Sequence, residues 1–110
     1  MIRLDLSPEP QWLGLGHGVK LKLLPLTTAL MVATRSDQTV QDLDPEASND
    51  ERAAIFAGAL ARRAVVDWEG VGDVDSNVLP VSPEGIDALL SLWPIFEAFN
   101  LHYVSRGMLL

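Results

Sequence analysis

The acidic segment around Asp73 carries the clearest chemical pattern in this sequence. Oxygen-bearing side chains occur where an EF-hand calcium loop has its first, third, fifth and twelfth ligands, and they belong to Asp73, Asp75, Asn77 and Glu84. The sixth position of such a loop needs glycine for its sharp turn, but here it is Val78. The sequence therefore predicts an Asp-rich turn without a bound metal, and these four residues are the candidate calcium ligands.

Other residues that could support chemistry lack the spacing that the chemistry requires. Gly14, Gly16 and Gly18 alternate like part of a phosphate-binding loop, but a strand is predicted after them instead of a helix, which favours a hairpin turn. His17 and His102 are far apart in the chain, and neither has a second histidine or a cysteine beside it. No serine lies in a Gly-x-Ser-x-Gly elbow. We therefore expect no catalytic site, no cofactor and no enzyme activity.

Composition narrows the classes of partner. The chain has 110 residues, which predicts one domain over residues 1–110. It carries 8 Lys and Arg against 15 Asp and Glu, for a formal charge of -7, which argues against nucleic acid and anionic membranes as partners. No apolar stretch has the length of a membrane span or signal peptide, and cysteine is absent, so a cytoplasmic protein is expected. A homo-oligomer is compatible with this composition.

The first quarter of the chain alternates apolar and polar residues with the period of a strand. Ile2, Leu4 and Leu6 would face one side of a sheet, and residues 12–15 and 19–23 show further short strands. The glycines between the last two segments provide a tight turn. We therefore expect a small antiparallel β-hairpin or three-stranded sheet in residues 1–25.

Capping patterns predict helices after this sheet. Thr27 or Thr28 can cap a first helix once Pro25 has ended the strand. Ser48 and Glu51 form a capping box that opens the longest helical pattern, which is predicted to continue through Trp68. The polar segment between these two helices, residues 37–49, is predicted to be a mobile acidic loop.

Two further helices are predicted near the C-terminus. Ser82 caps one helix, with Pro83 in its first position, and Pro94 should end or kink it. The pattern then continues through Tyr103 on a terminal helix. The predicted fold class is therefore α+β and mostly α, with the N-terminal sheet followed by three to four helices in residues 26–110.

The aromatic residues of the C-terminal part are candidates for partner binding, because aromatic side chains dominate interface hot spots. Most aromatic residues of so small a domain should nevertheless be in its core. The apolar chain end either folds back onto the domain or contacts another protein. The candidate partner-binding residues are Trp93, Phe96, Phe99, Tyr103, Leu109 and Leu110.

Three short patterns together resemble the tail assembly chaperones of long-tailed bacteriophages and gene transfer agents. They are Asp-Trp-Glu-Gly-Val at 67–71, the capped helix start and Leu-Leu pair within 80–90, and the Leu-Pro-Leu-Thr step at 24–27. An Asp-rich turn between the first two patterns belongs to the resemblance as well, but the chain has Asn77 where the family usually has a glycine in that turn. Asparagine also tolerates the left-handed conformation.

The resemblance implies a non-enzymatic chaperone in the bacterial host cytoplasm. Members of that family bind the aggregation-prone tape-measure protein, help to gather tail-tube protein around it and are absent from the finished particle. Three alternatives stay open: a head-tail adaptor or other virion component, an unrelated regulator, and a small enzyme. An enzyme would require His17, His102, Asp73 and Glu84 to converge in the fold.

Overall fold

The computed structural model describes residues 1, 3, 4, 6 and 8–105. In this part of the chain, three strands and five helices form, and the last helix continues into a π-helical turn. The strands are β1 (Gln11–Gly16), β2 (Val19–Leu23) and β3 (Val65–Glu69), and the helices are α1 (Thr28–Arg35), α2 (Gln38–Gln41), α3 (Asn49–Ala64), α4 (Pro83–Leu90) and α5 (Trp93–Phe99), followed by the π-helical turn Asn100–Val104.

The strands form one antiparallel sheet in the order β1-β2-β3. Leu21 at the centre of β2 is opposite Leu13 of β1 and Trp68 of β3. The predicted hairpin is confirmed, since Gly16, His17 and Gly18 turn the chain with φ angles of 82°, 56° and 77°. The predicted α+β fold, with a three-stranded sheet and about four helices, is likewise confirmed.

The two faces of the sheet differ in polarity. The apolar residues of β2 point into the core, whereas Lys20 and Lys22 point away and are opposite Glu69 and Asp67 of β3. Opposite charges at directly facing positions stabilise a strand pair. The helices therefore cover one face, and the other face is charged.

The third strand comes from a different part of the chain than the sequence predicts. Leu4 and Leu6 are 79% and 89% exposed and lie outside the strands, so the strand expected there is wrong; Ile2 lies outside the described residues. The free edge of β2 is taken by β3, which brings the buried side chains of Val65 and Trp68 to the core. Burial of these two large residues favours this pairing over the exposed N-terminal segment.

The longest helix is shorter than its pattern indicates. It was expected to continue through Trp68, but α3 ends at Ala64 and the chain enters β3 directly. Val65 and Val66 are β-branched and favour extended backbone, and Val65 is opposite Leu23 of β2. Long-range strand pairing therefore ends the helix where the local sequence has neither glycine nor proline.

The predicted helix starts are confirmed. Thr27, Ser48 and Ser82 each accept a hydrogen bond from the backbone N–H three residues later, at 3.1, 3.1 and 3.0 Å. The predicted break near Pro94 is also present, since α4 ends at Leu90 and α5 begins at Trp93. Local capping chemistry thus determines where these helices begin.

The segment 37–49 has local structure. Asp37 caps the short helix α2 and forms an ion pair with Arg63 of α3 at 2.6 Å. Arg52 of α3 donates hydrogen bonds to three backbone carbonyls in the turn between α2 and α3. The mobility of this segment stays a prediction, and these contacts are the ones that would have to break.

Side chains from the sheet and from the helices on one of its faces form the core. Phe99 and Leu60 are fully buried at its centre, and Thr34, also buried, donates its hydroxyl proton to the carbonyl of Leu30. The core cluster consists of Leu15, Val19, Leu21, Leu23, Ala57, Leu60, Ala61, Ala64, Val65, Trp68, Ile86, Leu89, Ile95, Phe99, Tyr103 and Val104.

Candidate functional site

The acidic turn is held together by its own hydrogen bonds. One carboxylate oxygen of Asp73 accepts from the backbone N–H groups of Asp75 and Asn77 at 2.9 and 3.0 Å. These bonds, the one from the Asn77 N–H first, lower the pKa of Asp73. Ser76 adopts a left-handed conformation with φ 65°. The Asp73 carboxylate therefore stabilises the turn.

The candidate calcium ligands do not converge on a cation site. Within the described residues, no group of three or more His, Cys, Asp or Glu side chains is placed to hold a metal ion. Glu84 is in the first turn of α4, next to the N-cap Ser82. A carboxylate there interacts favourably with the helix dipole, which accounts for Glu84 without a metal.

The two histidines also lie in different surroundings. His17 is exposed in the β1–β2 turn, and His102 is exposed on the π-helical turn. An enzyme would require His17 and His102 to meet Asp73 and Glu84, and no three of these side chains are placed to hold a metal ion together in the described part of the chain.

Shifted pKa values occur at structural contacts in the described part of the chain. The pKa of Asp37 is well below its usual range because the Thr39 hydroxyl and then Arg63 donate to its carboxylate. Burial raises the pKa of Tyr103 to about 12, and its hydroxyl donates to the carbonyl of Leu24 at 2.6 Å. Both groups are engaged with their own fold.

The six candidate partner-binding residues separate into three groups. Trp93 is 65% exposed and Phe96 is half-buried beside it. Phe99 and Tyr103 are core residues with 0% and 9% exposure, so this fold does not present them at its surface, and their contact with a partner stays a prediction. Leu109 and Leu110 lie outside the described residues.

Phe99 and Tyr103 are buried because of their spacing on the terminal helix, which consists of α5 and the π-helical turn that continues it. Their ring centroids are 5.3 Å apart, and both rings lie on the side of the helix that faces the sheet. Trp93 and Leu101 lie on the opposite, exposed side, and Leu101 is 63% exposed. The wider π-helical turn, closed by a hydrogen bond from the Ser105 N–H to the Asn100 carbonyl, contains Leu101.

These exposed apolar side chains line a groove of about 760 Å³ between α3 and the terminal helix. Its α3 wall consists of Ala53 and Ala54 with Asp50 at one end. Its other wall comes from the α4–α5 junction, α5 and the π-helical turn. The groove residues are Asp50, Ala53, Ala54, Leu90, Ser91, Trp93, Phe96, Glu97, Ala98, Asn100, Leu101, His102 and Ser105.

A smaller depression of about 290 Å³ continues this groove along α3. Ala54, Leu90 and Phe96 line both, and the ion pair between Arg62 and Asp87 at 2.6 Å lies at the far end. The groove and the depression together form one largely apolar surface between α3 and the helices α4 and α5. A surface of this kind can bind an apolar segment of another molecule.

Sequence reasoning identified Trp93 and Phe96 but missed Leu101 and the α3 wall. The spacing of Trp93, Glu97 and Leu101, four residues apart, could have placed Leu101 on the same side. No local signal could have found Ala53 and Ala54, because their role depends on which helix lies opposite them.

Comparison with known protein families places most of this chain in a phage setting. The family model described as YdaY prophage protein matches residues 25–105, which is most of the chain and includes every groove residue. No curated protein and no solved structure matches. Among the described helices, none combines the length and apolar character needed to cross a bilayer. Since the family model covers far more than half of the sequence, the chain belongs to the YdaY prophage protein family.

Proposed function

We propose that this prophage protein is a non-enzymatic tail assembly chaperone, which binds the tape-measure protein in the cytoplasm of the bacterial host and aids assembly of the tail tube. The observation that carries the proposal is the apolar groove, with Trp93 and Leu101 on its wall at 65% and 63% exposure. Large apolar side chains left in water next to a concave surface are typical of a binding site.

The energetics suit a binding protein. Complete burial of a large apolar side chain contributes about 1.5–3 kcal/mol, so covering Trp93 and Leu101 would provide a substantial part of a specific affinity. Neither side chain has to leave the core to do so, because both are already at the surface. The formal charge of -7 would help to keep a complex with an aggregation-prone client in solution.

Family membership supports the phage setting, and the sequence resemblance supports the more specific role. The residues that carry the sequence resemblance have structural roles in this protein. Trp68 donates its ring N–H to the carbonyl of Leu79 at 2.7 Å, which joins β3 to the segment before α4. A chaperone related through this motif would therefore share a scaffold, and the groove would be its binding surface.

Co-expression with the tape-measure protein of the same prophage tests the proposal. We expect the soluble fraction of the client after centrifugation to rise several-fold with this chain, and to fall back with the double variant Trp93→Ala, Leu101→Ala. Val74→Ala is the matched control, because Val74 is 99% exposed and distant in sequence from the groove. A client that is equally insoluble with and without this chain would refute the chaperone role.

A second measurement separates the chaperone from a virion component. Mass spectrometry of purified particles should lack this chain if it acts only during assembly. Its stoichiometric presence in particles would favour the head-tail adaptor instead.

A further inference from the structure

We infer that the groove receives an amphipathic α-helix whose apolar face is flanked by lysine or arginine. The inference deepens the proposed function, since it gives the chemistry of the client segment that a chaperone of this type would hold. It depends on the shape of the groove, on the backbone of its walls and on the charges at its rim.

The groove walls favour a helical occupant over an extended one. Apart from the helix ends and the α4–α5 junction, both walls are helical, so most of their backbone N–H and carbonyl groups are already bonded within α3 and within the terminal helix. An extended segment entering the groove would find side chains but few free backbone partners, and most of its own polar groups would be buried without hydrogen bonds. A helix satisfies these groups internally and presents only side chains.

The size of the groove agrees with this occupant. Asp50, Ala54 and Gly58 follow one side of α3, and Trp93 and Leu101 follow the opposite wall. Eight residues of helix extend about 12 Å, so each wall offers a little more than two helical turns. The small side chains of the α3 wall let an incoming helix approach closely, while Trp93 and Leu101 cover its apolar side.

The acidic side chains at the rim of the groove favour a partner helix that has basic residues beside its apolar face. Asp50 at the α3 side and Glu97 at the α5 side are the only charged groove residues other than histidine, and both are exposed. Two arginines of α3 have other partners in the described structure: Arg62 is paired with Asp87, and Arg52 keeps its charge but is held by the backbone carbonyls of the turn before α3. Acidic groups therefore border the apolar surface on both sides, and they attract lysine or arginine while repelling acidic segments.

The same charges disfavour other occupants. A second copy of this chain would bring its own formal charge of -7 against the acidic rim. The predicted charge preference is therefore for a basic partner helix and against self-association through this groove.

Peptide binding to the full-length protein tests the inference directly. The probe is a fluorescein-labelled helical peptide of about 18 residues, with leucines on one face and lysines at its flanks. Two peptides serve as comparisons: one with glutamate flanks, and one with the lysine-rich composition but with leucines scattered around all faces. Fluorescence anisotropy at low salt should give at least about 10-fold tighter binding for the lysine-flanked amphipathic peptide than for either comparison.

Matched variants locate the binding. Glu97→Lys should weaken the lysine-flanked peptide by about 5- to 10-fold, whereas Glu46→Lys, which makes the same charge change on an exposed residue away from the groove, should change it less than about 2-fold. Leu101→Ala should also weaken it by about 5- to 10-fold, with Val74→Ala as the control. The effect of Glu97→Lys should nearly vanish in about 0.5 M salt, and that of Leu101→Ala should persist.

Several outcomes would overturn the inference: equal affinity for the lysine- and glutamate-flanked peptides, equal affinity for the scrambled peptide, or equal effects of groove and control variants. A dimer in sedimentation that Leu101→Ala dissociates would identify a second copy as the occupant and would also overturn it. Correct peptide discrimination with an insoluble co-expressed client would leave the inference standing and remove the chaperone role. A solubilised client without discrimination between the peptides would leave the chaperone role standing and would overturn the inference.

Discussion

Two tryptophans of this protein have opposite surroundings. Trp68 is 5% exposed, donates its ring N–H to the carbonyl of Leu79 and packs against the backbone of Gly85. Trp93 is 65% exposed and stacks on Phe96 with ring centroids 5.6 Å apart. The first is a component of the fold, and the second lies on a surface that the described fold leaves uncovered.

The difference shows where function can be found in this sequence. The region around Trp68 contains recognisable patterns, including an Asp-rich turn, a glycine after a strand and a capped helix, and each is used by the fold itself. The groove around Trp93 has only helical spacing and apolar residues. The recognisable sequence patterns of this protein thus indicate structural features, whereas the candidate binding surface depends on how the helices are placed in space.

The largest effect should follow from Gly70→Ala, beside Trp68. Gly70 has φ 78°, and a Cβ atom added there would lie 2.0 Å from the carbonyl oxygen of Gly18. The hairpin and the end of β3 would have to separate, so we expect a loss of about 3 kcal/mol or more in the free energy of unfolding. Urea denaturation followed by circular dichroism measures it.

Gly14→Ala is the matched control for this variant. A Cβ at Gly14 meets nothing within 4 Å, so its stability should stay within about 0.5 kcal/mol of the wild type. Equal losses for the two alanine variants would mean that the close approach of Gly70 and Gly18 does not hold the sheet together.

The second effect compares the tryptophans directly. Trp68→Phe removes the donor to Leu79 and leaves a gap in the core, so unfolding should become easier by about 2–3 kcal/mol. Trp93→Phe should cost less than about 0.5 kcal/mol, because that ring is largely in water. Thermal unfolding of the two variants is the measurement, and similar melting temperatures would remove the contrast between the two regions.

Much of the fold could be predicted because its signals are local. Thr27, Ser48 and Ser82 are helix caps in the structure as the sequence predicts, and the glycines around His17 form the expected turn. These features depend on hydrogen bonds and φ angles within a few residues. Such signals can be found without knowing the rest of the chain.

The errors arise where distant segments compete. The apolar spacing of α3 continues through Trp68 and predicts a helix there. Only the pairing of residues 65–69 with β2 shows that this segment is a strand. Phe99, Tyr103 and Trp93 share their aromatic character, but the side of the helix that carries Phe99 and Tyr103 faces the sheet. The candidate site was therefore only partly predictable: residue type indicated Trp93, and the opposing α3 wall requires the tertiary structure.

The third effect concerns paired and unpaired carboxylates. Asp37 caps α2 and binds Arg63, and these contacts lower its pKa below the ordinary value of 3.8. Its contribution to stability is complete above that pH and is lost as the pH falls towards the lower pKa of the folded state. Asp37→Asn should thus destabilise by about 1 kcal/mol at neutral pH, and its difference from the wild type should shrink below about pH 3.

Glu97→Gln is the control from the groove. Glu97 is outside the two ion pairs of the described residues, so its replacement should change stability by less than about 0.5 kcal/mol. Urea unfolding across the acid range distinguishes the variants, and a constant difference for Asp37→Asn at every pH would contradict the ion-pair account.

Apart from the control and comparison variants, the smallest effect on stability is expected for Trp93→Ala. The side chain is largely exposed, and the loss of its stacking on Phe96 should cost less than about 1 kcal/mol. The same variant should reduce the fraction of tryptophan fluorescence accessible to acrylamide to the part contributed by Trp12, which is 44% exposed, since Trp68 is shielded in the core. Unchanged quenching would show that Trp93 is covered in solution, and the groove would not be open.

The most direct test of the binding role is photo-crosslinking in cells that produce the prophage tail proteins. A benzoylphenylalanine at Leu101 should form an adduct with the tape-measure protein that mass spectrometry identifies, and the same group at Val74, which is 99% exposed, should not. Absence of the adduct from Leu101, or equal adducts from both positions, would contradict a client-binding role for the groove.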